Sequence, residues 1–144
     1  MIIEVKSESA MKALGARIGE LLHGGEVLEL IGDIGAGKTT FVKGLATGLG
    51  IADDVQSPSF TISRVYDGRD DLQLVHYDFY RLLDPGILTN EVQEATSDPK
   101  TITVIEWADI VEGVLPKSRF SFRFQSPSDT SRTIDVPNKI GEHL

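Results

Sequence analysis

Val27-Leu28-Glu29-Leu30-Ile31-Gly32-Asp33-Ile34-Gly35-Ala36-Gly37-Lys38-Thr39-Thr40 is the stretch on which the fold turns. An apolar run of strand character ends at Gly32, a glycine-rich turn follows, and helix-compatible residues leave it. Residues 32–39 fit G-x-x-x-x-G-K-[ST] at every fixed position. Glycines at 32, 35 and 37 let the backbone curl so that successive N–H groups point inward and form a nest for phosphate oxygens. The start of the next helix adds the positive end of its dipole. Lys38 has the reach for β- and γ-phosphates, and the Thr39 hydroxyl suits Mg²⁺. The same letters could form a plain glycine-rich turn; strand before and helix after are the context that separates the two.

Upstream of this stretch, residues 2–5 suit a short strand. Ser7 or Ser9 then offers an N-cap. Met11, Leu14, Ile18, Leu21 and Leu22 recur at helical spacing, so residues 9–22 read as an amphipathic helix stopped by His23-Gly24-Gly25. His23 reads as a solvated helix-end residue rather than a ligand. Residues 26–31 form the strand entering the loop. Residues 38–49 form the helix leaving it, with Phe41, Val42, Leu45, Ala46 and Leu49 on its buried side.

Downstream, Ser57-Pro58-Ser59-Phe60-Thr61 reads equally as a surface turn or a nucleotide-sensing loop. Residues 60–66 and 72–77 are expected strands of a hairpin, turned at Asp67-Gly68-Arg69-Asp70-Asp71. Asp84-Pro85 opens a helical or irregular stretch to about residue 97. The β-branched run 101–105 reads as a buried central strand, followed by a short helix at 108–111. Residues 120–124 and 133–136 suggest a terminal hairpin, turned at Pro127-Ser128-Asp129 with Ser131-Arg132 at its bend, and 138–144 should fray. No internal repeat or low-complexity linker is evident.

Composition narrows the chemistry. A chain of 144 residues is expected to form one domain spanning 1–144. Chains of this size bury about 68–70% of their unfolded surface, enough for a core. It has no cysteine, which removes disulfides, thiolate metal sites and a cysteine nucleophile. A formal charge of −8 argues against broad binding of nucleic acid or anionic membrane by the chain itself. No apolar run approaches the ~18 residues of a membrane span, and the start lacks signal-peptide features. Cytoplasmic location, with ATP and Mg²⁺ at hand, is the expectation.

Cleaving a β–γ phosphate bond demands charge neutralisation and in-line positioning more than covalent help. Lys38, the loop amides and Mg²⁺ answer the first need. A carboxylate holding metal or orienting water answers the second. Asp78 and Glu106 are the carboxylates directly following confident strands, and neighbouring parallel strands would bring both near Thr39. Asp78 could instead cap the next segment, and Glu106 could be an ordinary helix N-terminal acid. The Asp33 side chain is expected to brace the turn. Trp107 is either a packing anchor or a shield over nucleotide.

Four segments together carry a resemblance: Gly32-Asp33-Ile34-Gly35-Ala36-Gly37-Lys38-Thr39-Thr40, Ser57-Pro58-Ser59-Phe60-Thr61, His76-Tyr77-Asp78-Phe79-Tyr80-Arg81-Leu82 and Ile105-Glu106-Trp107. In this order they resemble the bacterial TsaE (YjeE) family, small ATPases of the tRNA threonylcarbamoyladenosine pathway. The resemblance runs from about residue 27 to 116. It implies an ATPase assisting the TsaB–TsaD pair, which transfers threonylcarbamoyl to the adenosine beside the tRNA anticodon; tRNA would be met only through that complex. It implies Thr39 and Glu106 as Mg²⁺ ligands, Lys38, Asp78 and Glu106 as the catalytic set, and Ser57, Ser59 and Thr61 as a switch sensing the γ-phosphate. ATP would contact Gly35, Ala36, Gly37, Lys38, Thr39, Thr40 and Trp107, with Ser9 and Arg132 the nearest matches to the family's adenine-side residues. Two departures stand out. Ser-Pro-Ser replaces the usual Ser-Pro-Thr while keeping the hydroxyl, and 86–100 lacks the family's Leu-Gly-containing pattern.

The expected fold is therefore α/β: a P-loop NTPase-like mixed β-sheet flanked by helices, with a C-terminal β-hairpin. The expected function is a Mg²⁺-dependent ATPase, weak alone, with Arg64 and Arg81 as candidate arginine fingers. Two rivals are a small-molecule P-loop kinase and a non-hydrolytic module in which ATP only orders residues 57–61.

Overall fold

The computed structural model describes residues 1–33, 36–58, 61–86, 88–129 and 131–144. The motif stretch folds as strand, loop and helix: β2 (Val27–Ile31) feeds the loop, and α2 (Lys38–Gly48) leaves it. Before them come β1 (Ile2–Val5) and α1 (Glu8–Leu21), the latter capped by the Ser7 hydroxyl accepting from Ala10 N–H at 3.0 Å. After them come β3 (Ser63–Asp67), β4 (Gln73–Asp78), α3 (Leu88–Ser97), β5 (Thr101–Glu106), a 3₁₀ segment at Ala108–Val114, β6 (Phe120–Gln125), β7 (Arg132–Asp135) and α4 (Asn138–Gly141).

The seven strands form one mixed sheet in the order β1-β7-β6-β2-β5-β4-β3. Strands β6, β2, β5 and β4 run parallel, and β7, β1 and β3 add antiparallel pairings at the two sides. The period-two pleat divides the side chains between two cores. Leu28, Leu30, Leu74, Ile102, Val104 and Phe122 pack with Met11, Ile18, Phe41 and Leu45 of α1 and α2. Val27, Val75, Tyr77 and Ile105 pack with Val92 of α3 and Val111 of the 3₁₀ segment on the opposite face. Strands covered on both faces read as continuous apolar runs, as β2 and β5 do. A mixed sheet with helices on both faces and a β6–β7 hairpin is the α/β architecture expected.

Helices α1 and α2 meet backbone to backbone. A Cβ added at Gly44 would lie 2.1 Å from Lys12 O, and one at Gly48 would lie 2.1 Å from Ala16 O. Gly15 and Gly19 are equally tight against Phe41 O and Leu45 O, at 2.4 Å each. This approach brings the N-terminal turn of α1 beside the loop that opens α2. At the other end of both helices the Arg69 guanidinium donates to Gly19 O, Leu22 O and Gly48 O, satisfying carbonyls that a helix end leaves open.

Three local expectations need correction. The strand expected at 60–66 begins at Ser63, because Thr61 N–H and Ile62 N–H both donate to Pro58 O and close a turn. The terminal hairpin turns at Pro127-Ser128-Asp129 as expected, but Arg132 belongs to β7 and not to the bend, since it already pairs with Val5. The tail expected to fray forms α4, with Ile140 buried and the chain's N-terminal ammonium donating to Val136 O and Asn138 Oδ1.

Candidate functional site

Parallel strands present their C-terminal ends on one edge, and open α/β sheets place their ligand crevice there. In this chain β2, β5 and β4 end side by side. Leu30 pairs with Glu106, and Glu106 pairs with Asp78. Register partners share a face, so both acids stand on the side covered by α1 and α2, directly before the loop and the start of α2. A cavity of about 590 Å³ opens at this point.

Its floor is the start of α2: Gly37, Lys38, Thr39 and Thr40 line it. Gly37 is the N-cap at φ 100°, a left-handed conformation that favours glycine, and a Cβ there would crowd only the flexible end of Met11 at 2.9 Å. Having no side chain, Gly37 leaves the first amides of α2 without a side-chain cap. Those unspent N–H donors and the helix dipole make this end attractive to anions. The Asp33 side chain, expected to brace the turn, is exposed; it is the main-chain carbonyl of Asp33 that accepts from Ala36 N–H, at 3.2 Å. Ala36 is buried and does not line the cavity. Gly35 and Ser59 lie outside the described residues.

Lys38 is 6% exposed. Its Nζ donates to Gly32 O at 2.5 Å, stands 3.7 Å from Glu106 Oε1 and lies 4.7 Å over the Trp107 ring. A desolvated ammonium needs such compensation. The second oxygen of Glu106, Oε2, is 2.6 Å from His76 Nε2. A carboxylate only accepts, so the imidazole N–H at Nε2 is the donor. His76 is fully buried, and its Nδ1 has no hydrogen-bond partner among the described residues. Asp78 is 6% exposed; its Oδ1 accepts from Tyr80 N–H at 3.0 Å. Its own N–H donates to Ile62 O at 2.9 Å.

That last bond ties β4 to the end of the Ser57–Thr61 segment. Ile62 sits at φ 71°, a left-handed conformation that is strained for a β-branched residue. Ser57 lines the cavity beside Asp78, whereas the Thr61 side chain is exposed, with its hydroxyl donating to Ser63 O at 3.3 Å. Trp107, also at positive φ (57°), packs against Tyr80 with ring centroids 4.8 Å apart. Arg132 lines the cavity, and its Nη1 donates to Ser128 O and Ser131 O within its own loop. Arg81 lines the cavity; Arg64 does not. Ser9 is exposed on the first turn of α1 and is not a lining residue. The wall on that side is made by Val5, Lys6, Ser7, Glu8 and Met11; the resemblance points to the segment before the first helix but matches only Ser9 there, because nothing local connects the β1–α1 turn to a loop thirty residues later. His76 had a readable signal: two residues before Asp78 on one strand, it must share Asp78's face.

The acids and hydroxyls suit one kind of metal. Among the described residues no group of three or more His, Cys, Asp or Glu could hold a metal by itself. Thr39, Asp78 and Glu106 offer hard oxygen donors around a shared cavity. Such a partial oxygen set fits Mg²⁺, which keeps waters and shares substrate phosphates rather than sitting in a protein cage.

A family model described as "Threonylcarbamoyl adenosine biosynthesis protein TsaE" matches residues 5–134. The tRNA threonylcarbamoyladenosine biosynthesis protein TsaE of Treponema pallidum is 39% identical over 122 residues, covering 85% of this chain and 89% of that one. Its namesake in Bacillus subtilis is 39% identical over 128 residues, covering 85% and 76%. The crystal structure of Bacillus subtilis YdiB is similar over 99% of this chain and 90% of that one, with a TM-score of 0.77 and 33% identity. The chain belongs to the TsaE family of threonylcarbamoyl adenosine biosynthesis proteins.

Proposed function

We propose that this chain is a Mg²⁺-dependent ATPase that supports threonylcarbamoyl transfer to the adenosine next to the tRNA anticodon, acting with the TsaB–TsaD pair. The observation that carries the reading is the convergence of an uncapped helix start, a buried lysine and two register-paired buried carboxylates on one cavity. The first amides of α2 bind phosphate oxygens. Lys38 moves its charge from Glu106 and Gly32 O to the transferring phosphate, an exchange of partners rather than a fresh desolvation. Thr39 and Glu106 would hold Mg²⁺, which supplies charge neutralisation on the phosphates. Asp78 accepts hydrogen bonds from, and so orients, the attacking water or a metal-bound water. Trp107 and Tyr80 screen the site from bulk solvent. Ser57 lies beside Asp78 and, with Ser59 and Thr61, forms the segment proposed to respond to the γ-phosphate. Gly35 and Ala36 belong by sequence to the proposed phosphate-binding loop, and Arg132 with the β1–α1 turn stands on the nucleoside side.

Reconstitution tests this reading. Multi-cycle tRNA modification by TsaB–TsaD should require the wild-type chain and ATP, and should fail with Lys38→Ala and with Glu106→Ala. The isolated chain should hydrolyse ATP slowly and be accelerated by the pair. Full support from Glu106→Ala and Asp78→Ala would contradict hydrolysis and favour a nucleotide-gated binding module. Phosphate transfer to a metabolite in preference to water would favour a kinase.

A further inference from the structure

We infer that His76 is a positioning residue: its buried Nε2–H fixes Oε2 of Glu106, so that Oε1 alone exchanges between Lys38 and an incoming cation. The inference rests on the ATP–Mg²⁺ reading of the cavity and adds a residue to it. Glu106 is nearly buried, and its two oxygens are divided between two donors of different character. Oε1 faces Lys38 Nζ at 3.7 Å, a loose ion pair on a flexible stem that is also bonded to Gly32 O. Oε2 faces His76 Nε2 at 2.6 Å, a short charge-assisted bond from a ring held on a central strand. When Lys38 turns to phosphate, Oε1 loses its partner. The carboxylate would then rotate freely at the strand end unless Oε2 stays anchored.

The imidazole is well placed to be that anchor. It is 0% exposed, stands beside Val104 in the β4–β5 register and opposite Arg64 in the β3–β4 register, and among the described residues has no partner for its Nδ1. Burying a ring nitrogen without a partner carries a cost, and packing alone would be better served by Leu or Phe. Among the described residues, the compensating polar contact it makes is to Glu106. Outer-shell hydrogen bonds of this kind orient ligating carboxylates and tune metal affinity.

Side-chain geometry gives a sharp test. The amide nitrogen of Gln can occupy the place of Nε2, whereas that of Asn corresponds to Nδ1 and falls short. Nucleotide affinity of the full chain is measured by calorimetry for wild type, His76→Gln, His76→Asn and His76→Phe, once in EDTA and once across a Mg²⁺ titration. In EDTA the four should bind ATP alike. Half-maximal Mg²⁺-dependent tightening should need about ten-fold more Mg²⁺ in His76→Asn and His76→Phe. His76→Gln should stay close to wild type. If one of the two deficient variants fails to fold, the other decides. A Mg²⁺-responsive wild type matched by His76→Asn or His76→Phe would overturn this inference alone, as would equal loss in His76→Gln or a loss already present in EDTA. A wild type whose ATP binding ignores Mg²⁺ would overturn the underlying reading and this inference with it.

Discussion

Lys38 and Glu106 illustrate how single residues are held ready. Each is close to fully buried, and each has partners that a bound polyphosphate and cation can replace. Breaking such a pair by removing one partner strands the other, which is why substitutions there act on stability as well as on chemistry. A second buried group answers to pH. Burial, with Glu91 and Glu94 adding negative charge nearby, pushes the Tyr77 phenol well above its usual range. The folded chain therefore holds that proton more tightly than the unfolded chain does. The stability this contributes is fully present below the ordinary tyrosine pKa of about 10 and is lost as pH rises beyond it. Tyr77→Phe has no proton to lose. Its urea midpoint should fall less steeply than that of wild type from about pH 9.5 to 11. Parallel slopes would contradict the assignment.

At the scale of elements, the contact between α1 and α2 sets the shape of the cavity. It depends on Gly15, Gly19, Gly44 and Gly48, where any side chain would strike facing backbone. Gly44→Ala must push the helices apart, and overpacking of this kind costs about 1–3 kcal/mol. Gly113 in the 3₁₀ segment has nothing within 4 Å of a Cβ position. Gly113→Ala should change stability by less than about 0.5 kcal/mol, as surface substitutions usually do. Urea unfolding of the two variants checks the contrast; equal stabilities would deny the close packing. Because α1 also supplies Ser7, Glu8 and Met11 to the cavity wall, Gly44→Ala should weaken nucleotide binding too.

The molecule as a whole was legible in the sequence wherever a local signal matched a local structure. The loop between β2 and α2, the helical stripe from Met11 to Leu22 and the β-branched run of β5 each announced their element. Asp78 and Glu106 could be placed at strand ends, and their pairing across β4 and β5 then follows from parallel alignment. What stayed hidden depends on distance along the chain. β1 closes one side of the sheet by pairing with β7, some 130 residues away, and no local pattern encodes that partner. Ile140 is apolar in a polar tail, yet it is buried in the core shared with α1 and α2, while Met1 lies across the neighbouring Gly141. The resemblance offers Ser9 as the nearest match to an adenine-side residue, and either Ser7 or Ser9 could open the helix. The cap is Ser7, and that two-residue shift moves the cavity wall to Lys6, Ser7 and Glu8.

The central claim is that amides at the start of α2 and acids from the ends of β4 and β5 complete one site for polyphosphate and a divalent cation. A crystal structure of the chain with a non-hydrolysable ATP analogue and Mg²⁺ tests it most directly. The account predicts phosphate oxygens against the amides of Lys38, Thr39 and Thr40, Lys38 Nζ withdrawn from Gly32 O, and the cation between Thr39 and Glu106. Analogue bound elsewhere, or both carboxylates turned away from the cation, would contradict it.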